Sequence, residues 1–269
     1  MTILSIIIPT FNCSIKLRRV INNIKAYPEI EIIVIDDGSN NHESTRNKQI
    51  CLSNKVRYFW IKNQGPSKAR YEGLKKSKSK YVLFLDSDDT ISLNAILFAL
   101  KLFKDQESID FITFKSQYVK DINILLPSVS NKITTSEKSK TITQLLIEIF
   151  GFPKQKTIGW NQSNTIYERN KILSIYSCRY LSWGEDIPLK IKIIRNLSGF
   201  SVNMSNASLI EVSYGRGYNY NFKQITNLAK EMYKLDESIL ISTISFISIY
   251  LRYIPSMIYK KVKIILRKK

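Results

Sequence analysis

The chain predicts a doubly wound α/β fold, a mostly parallel sheet with helices on both faces, and three observations carry that prediction. Apolar runs and amphipathic stretches alternate four times within the first 90 residues. The runs, such as 82–85, are apolar at consecutive positions, as strands covered on both faces must be. Each run also breaks into a polar turn at the same end, where the carboxyl ends of strands in an open sheet form a ligand crevice.

In order, residues 3–8 form a first buried strand and Pro9-Thr10-Phe11-Asn12 its turn. Ser14 is placed to cap a helix through about residue 26, with Leu17, Val20, Ile21 and Ile24 on one face. A second strand at 32–35 ends in Asp36-Asp37-Gly38-Ser39, and the polar stretch 40–54 reads as a short helix and loop. A third strand covers 56–61, and Gly65-Pro66-Ser67 opens a helix containing Ala69, Arg70 and Leu74. The strand at 82–85 then delivers Asp86, Ser87, Asp88 and Asp89 to the sheet edge. Carboxylates that close repel unless a proton or cation intervenes, which suits a hard divalent cation; a solvated turn capping the helix at 92–104 is the alternative.

The second half is less regular. It predicts a strand at 109–114, a long mobile loop at 127–140, a helix at 141–150, and strand-like pieces at 199–204 and 207–213. A helix over 187–194 comes after Trp183-Gly184-Glu185-Asp186, whose acids favour its first turn through the helix dipole. That placement is either structural or chemical. Everything after 222 reads as helical.

Composition narrows the partners. The 269 residues are 44% hydrophobic and 23% charged, as expected of a globular protein, and the net charge of +19 points to an anionic partner. Seven basic residues lie in the last 20, so the body alone carries +12 (19 minus 7). Cys13, Cys51 and Cys178 form neither a disulfide framework nor a zinc motif, which fits a reducing cytosol, and His42 reads as solvated. The first apolar run has no basic n-region and is too short for a signal peptide. Glycine-rich dinucleotide and P-loop signatures are both missing from the sequence, as is any known nucleic-acid motif.

Taken together, five ordered stretches resemble the inverting family 2 glycosyltransferases with the GT-A fold, of the bacterial surface-polysaccharide type. They are Ser5-Ile-Ile-Ile-Pro-Thr-Phe-Asn12, Ile32-Ile-Val-Ile-Asp-Asp-Gly-Ser39, Asn63-Gln-Gly-Pro-Ser-Lys-Ala-Arg70, Phe84-Leu-Asp-Ser-Asp-Asp89 and Trp183-Gly-Glu-Asp186. Tyr71 stands where many members have asparagine, and no histidine follows the D-x-D element. The resemblance implies a transferase domain over 1–220 and a basic, amphipathic helical extension over 221–269.

It also implies site roles: Pro9, Thr10, Asp37, Arg70, Asp86 and Ser87 for a nucleotide-sugar donor, expected to be a UDP-sugar, and Asp88 with Asp86 for Mg²⁺ or Mn²⁺. Asp186 would be the catalytic base, with Glu185 and Trp183 against a glycan or lipid-linked acceptor. Different classes of function remain open beside this one, namely an inactive scaffolding subunit and, on charge alone, a nucleic-acid binder. No nucleic-acid partner is expected. The tail alternates Met257, Ile258, Val262, Ile265 and Leu266 with lysines and is interrupted by Pro255, so it suits an amphipathic helix on an anionic membrane better than a spanning one. Packing on the body or on a second copy is the other reading. The expected location is the cytoplasmic face of the cell membrane, bound peripherally.

Overall fold

The computed structural model describes residues 2–24, 27–105, 109–114, 117–119, 131–135, 162–176, 188–189, 192–193, 196–204, 210–213, 226–227 and 230. The chain divides into two compact units. One comprises Met1–Ser136, Thr157–Tyr180 and Lys192–Gly215; the other comprises Glu137–Lys156, Leu181–Ile191 and Arg216–Lys269. The first unit contains every strand of the described residues.

Its elements in order are β1 (Leu4–Thr10), α1 (Ser14–Ile24), β2 (Ile30–Asp37), α2 (Asn41–Ser53), β3 (Arg57–Ile61), α3 (Pro66–Lys76) and β4 (Tyr81–Phe84). Next come β5 (Asp89–Ile91), α4 (Leu93–Asp105), β6 (Phe111–Phe114), β7 (Gln117–Val119) and β8 (Asn131–Thr135). A 3₁₀ turn (Gln162–Asn164), β9 (Thr165–Glu168), α5 (Arg169–Ile175), β10 (Gly199–Met204) and β11 (Ile210–Ser213) complete the set.

Among the described residues the main sheet has eight strands in the order β3-β2-β1-β4-β9-β6-β10-β8. The four strands from the alternating first third are all parallel, as the sequence predicts, with Thr10 opposite Asp36 and Ile7 opposite Phe84. Beyond β4 the pattern changes. β9 runs antiparallel to both β4 and β6, so the sheet is mixed rather than purely doubly wound. The stretch expected to be a long loop contributes an edge strand, Asn131–Thr135, antiparallel to β10. Its isoleucine and two threonines favour the extended backbone, and a terminal strand needs only one partner. A second sheet, β5-β11-β7, begins at Asp89, so that residue opens a strand instead of capping α4. Ser92 takes the capping role, its Oγ accepting from the Ala95 amide at 3.4 Å.

The period of two in the strands sorts the core into two layers. Ile6, Ile8, Val34, Leu83 and Leu85 pack on one face with Leu17, Ile21 and Ile96. Ile33 and Ile35 pack on the other with Ala69 of α3. Burial of each such aliphatic side chain contributes about 1.5–3 kcal/mol, so both faces must be covered for the strands to stay in the sheet. On the α3 face Gly73 lies hard against β1: a Cβ there would stand 2.3 Å from Ile7 Cγ2.

That approach generates a test. Gly73→Ala gains helix propensity but forces α3 off β1, and overpacking of this kind costs about 1–3 kcal/mol. Urea denaturation should show a net loss of stability. In a double-mutant cycle with Ile7→Ala the pair should cost less than the sum of the two single changes; a stabilised Gly73→Ala would contradict the packing.

Candidate functional site

All the candidate residues in the described part of the chain come together at the carboxyl ends of β1, β2 and β4. Adjacent positions in a strand point to opposite faces, so Asp36 and Asp37 at the end of β2 serve different layers. Asp36 is fully buried on the α2 side. It accepts from the Ser39 amide at 2.8 Å, from Asn47 Nδ2 at 2.8 Å and from the Tyr58 hydroxyl at 2.8 Å. Burial, and then this bond, push the Tyr58 hydroxyl up, so it stays a donor.

Asp37 faces α3 and accepts from the amides of Gln64 and Gly65, at 2.9 and 2.8 Å, fixing the loop that enters α3. Burial raises Asp37 above the ordinary carboxylate range, the two amides partly offset this, and Asp36 adds to the rise. Each oxygen of Asp37 retains a second lone pair with which it could accept from a ligand. Gly38, at φ +79°, makes the turn between β2 and α2, and a Cβ there would meet the Asn63 amide at 2.6 Å.

The β1–α1 turn is tied to this frame. Ser39 Oγ accepts from the Asn12 amide at 2.9 Å, and Asn12 Oδ1 accepts from the Asn40 amide at 3.0 Å. Pro9 and Thr10 are buried at the end of β1. Cys13 Sγ lies 3.2 Å from Thr10 Oγ1 and 3.0 Å from Ser87 Oγ, linking the first turn to the segment after β4. Cys51 lies elsewhere, in the core, where burial pushes its thiol up to about 12 and leaves it inert.

Residues 86–88 fan out to three different elements. Asp86 Oδ1 accepts from Arg70 Nη2 of α3 at 2.7 Å, and Asp88 Oδ2 from Lys16 Nζ of α1 at 3.2 Å. These pairs differ in kind: the Arg70 side chain is 6% exposed, whereas Lys16 and Asp88 are 46% and 41% exposed. An exposed pair is worth about 0.2–1 kcal/mol, while taking the counter-charge from a buried guanidinium costs on the order of 3 kcal/mol. Tyr71, next to Arg70, stacks on Tyr176 at 5.6 Å, with Lys68 and Lys75 over its ring.

Several positioning groups escape a reading by local pattern. Ser163, in the 3₁₀ turn before β9, accepts the Asp86 amide at 3.0 Å across 77 positions of sequence. Glu43 closes an Asn40-x-x-Glu43 box in which Asn40 Oδ1 accepts the Glu43 amide at 3.0 Å. The Asn40 amide goes to Asn12 instead, and the Glu43 carboxylate accepts the Ser14 amide at 2.8 Å, so α1 is capped by α2 rather than by Ser14's own side chain. The box was visible in the sequence; its destination was not. His42 is solvated as expected, its side chain 70% exposed.

The donor set suits a hard divalent cation. Asp86 and Asp88 each use one oxygen on a basic partner, leaving another on each carboxylate, and among the described residues no group of three metal-ligating side chains occurs. One or two carboxylates completed by substrate phosphates and water is the usual arrangement for Mg²⁺. Trp183, Glu185 and Asp186 lie outside the described residues, as do the helix expected at 141–150 and all of the tail beyond residue 230.

Residues 5–153 match the family model described as Glycosyl transferase family 2. The chain is 38% identical over 127 residues to the minor teichoic acid biosynthesis protein GgaA of Bacillus subtilis, covering 42% of this chain and 28% of that protein. It is 42% identical over 98 residues to the poly(ribitol-phosphate) beta-N-acetylglucosaminyltransferase TarP of Staphylococcus aureus, covering 34% and 30% respectively. It thus spans less than a third of the length of either relative. The crystal structure of S. aureus TarS 1-349 in complex with UDP-GlcNAc aligns with a TM-score of 0.64 at 19% identity, over 91% of this chain and 70% of that one. This likeness establishes the GT-A fold.

The Glu43 cap has a pH signature. Its bond from the Ser14 amide lowers the carboxyl below its ordinary 4.5. A depressed carboxyl stabilises the fold above the unfolded value of 4.5 and loses that contribution as pH falls through the lower folded value. Glu43→Gln keeps an acceptor without the titrating charge. Urea midpoints at pH 7 and pH 3 should therefore lie closer together in Glu43→Gln than in the wild type; an equal gap would remove Glu43 from the acid response.

Proposed function

Because the chain belongs to glycosyl transferase family 2, we propose that it transfers a sugar from a nucleotide-diphosphate donor to a hydroxyl of a glycan or lipid-linked acceptor in cell-surface polysaccharide synthesis. The observation that carries this reading is the cluster at the end of β4, where Asp86 and Asp88 stand with Arg70 and Lys16 at the carboxyl edge of the sheet. A UDP-sugar is the donor that the named ligand of TarS supports, and a phosphate-polymer pathway is what the names of GgaA and TarP support.

Thr10 and Asp37 hold the nucleoside between the first two turns, while Arg70 presents a fixed positive charge to the diphosphate. Ser87 sits beside them through Cys13. Asp88, with Asp86, would hold Mg²⁺ or Mn²⁺, which when bound would supply charge neutralisation at the diphosphate. Asp186 takes the proton from the acceptor hydroxyl as that oxygen bonds to the anomeric carbon, on the face opposite the breaking bond to diphosphate, so the configuration inverts. Glu185 hydrogen-bonds the acceptor and Trp183 stacks on it. A carboxylate of ordinary basicity is sufficient, because the hydroxyl becomes acidic only as the bond forms.

The basic tail holds the enzyme peripherally on the cytoplasmic face of a membrane, its apolar residues in the interface and its lysines against anionic headgroups. Among the described residues no helix is long and apolar enough to cross a membrane.

Purified protein incubated with a panel of nucleotide sugars and an acceptor fraction should release nucleotide from one of them when a divalent cation is present and not when it is left out. Asp88→Ala and excess chelator should each abolish release; full turnover in chelator would refute the metal assignment. Asp186→Asn should destroy transfer while donor affinity stays within a few-fold of wild type. Loss of donor binding instead would place Asp186 in the donor pocket. Removing residues 250–269 should free the protein from anionic vesicles without affecting nucleotide binding, and a truncated form that still sediments with them would refute the anchor.

A further inference from the structure

The contrast between the two ion pairs after β4 gives a role to Lys16. We propose that Lys16 is an exchangeable counter-charge: it neutralises Asp88 while no donor is bound, and passes to the donor's diphosphate when a divalent cation takes Asp88. This rests on the donor reading above and adds a residue and an order of events to it.

Lys16 lies in the first turn of α1, a turn without an acidic residue, where the helix dipole disfavours a positive charge. Asp88, 72 positions away, offsets that charge at 3.2 Å. The backbone of Lys16 is held beside the sheet edge, because Glu43 accepts the Ser14 amide at 2.8 Å and Cys13 contacts both Thr10 and Ser87. Its side chain is not held in the same way. It is 46% exposed on a flexible four-carbon stem, and its partner is 41% exposed, so the pair separates cheaply.

Arg70 cannot play this part. Its side chain is 6% exposed and committed to Asp86, which makes it a standing charge. Lys16, of like charge to a divalent cation, would give way to one held at Asp88. The donor's diphosphate would then offer the lysine a new anion and charge-assisted hydrogen bonds.

The test uses the full chain and two binding measurements: Mn²⁺ alone, followed by the spin resonance of free Mn²⁺, and UDP in saturating Mn²⁺, followed by calorimetry. Lys16→Gln removes the competitor for Asp88, so it should bind Mn²⁺ about two- to fivefold more tightly, the factor an exposed pair supports. The same variant should bind UDP about tenfold more weakly and with a shallower dependence on salt. Lys16→Arg should recover most of the UDP affinity.

If Lys16→Gln alters neither affinity while the wild type binds UDP, the exchange is wrong and the donor reading stands. Weaker binding of both Mn²⁺ and UDP by Lys16→Gln would also overturn it, since the lysine would then support the carboxylates rather than compete for them. A wild type that binds none of UDP, GDP and TDP would overturn the donor reading and the exchange together.

Discussion

The buried carboxylate of Asp36 is the constraint on which the candidate site depends. A charge with no exposure survives in a sheet only if donors surround it, and Asp36 has three: the Ser39 amide, Asn47 and Tyr58. Each belongs to a different element, so satisfying one carboxylate fixes the β2–α2 turn, α2 and β3 against one another. Ser39 then receives the Asn12 amide, which passes the same constraint to the β1–α1 turn. Asp37, pointing the other way, applies an equivalent constraint to the loop before α3 through Gln64 and Gly65. Two adjacent acids thereby organise loops on opposite faces of one sheet.

What this frame presents is a strand end with graded mobility. The Asp86 backbone is held by Ser163 and its side chain by the buried Arg70, so that carboxylate is fixed. Two residues further on, Asp88 has an exposed and adjustable partner in Lys16. Under the proposed function, admitting a charged donor and releasing a nucleotide would call on both kinds of group. A rigid charge sets geometry in advance, and an exposed pair such as Lys16–Asp88 separates at little cost.

The buried thiol of Cys51 and the solvated His42 have no part in this arrangement, one because burial keeps it protonated and the other because its side chain lies 70% exposed with only Glu43 beside it at 3.7 Å among its charged neighbours. Cys13 is different: its two sulfur contacts join the end of β1 to the segment after β4. Packing supports the same geometry from below, since Gly73 lets α3 lie close enough to β1 for Arg70 to reach Asp86.

The sequence by itself determined the alternation of buried strands and helices through Leu85, and the crevice side of the sheet. It determined also which acids stand at that crevice, because apolar periodicity and abrupt apolar-to-polar breaks are local signals. Only the tertiary structure decided how those acids are used. That Asp36 serves α2 and β3 while Asp37 serves the α3 loop, that Glu43 caps α1 instead of its own helix, and that Ser163 holds Asp86 are all contacts between segments far apart in the chain. Tertiary pairing also decided that β9 runs antiparallel and that Asn131–Thr135 is a strand, since a short strand takes its direction, and often its existence, from the neighbours that satisfy its backbone.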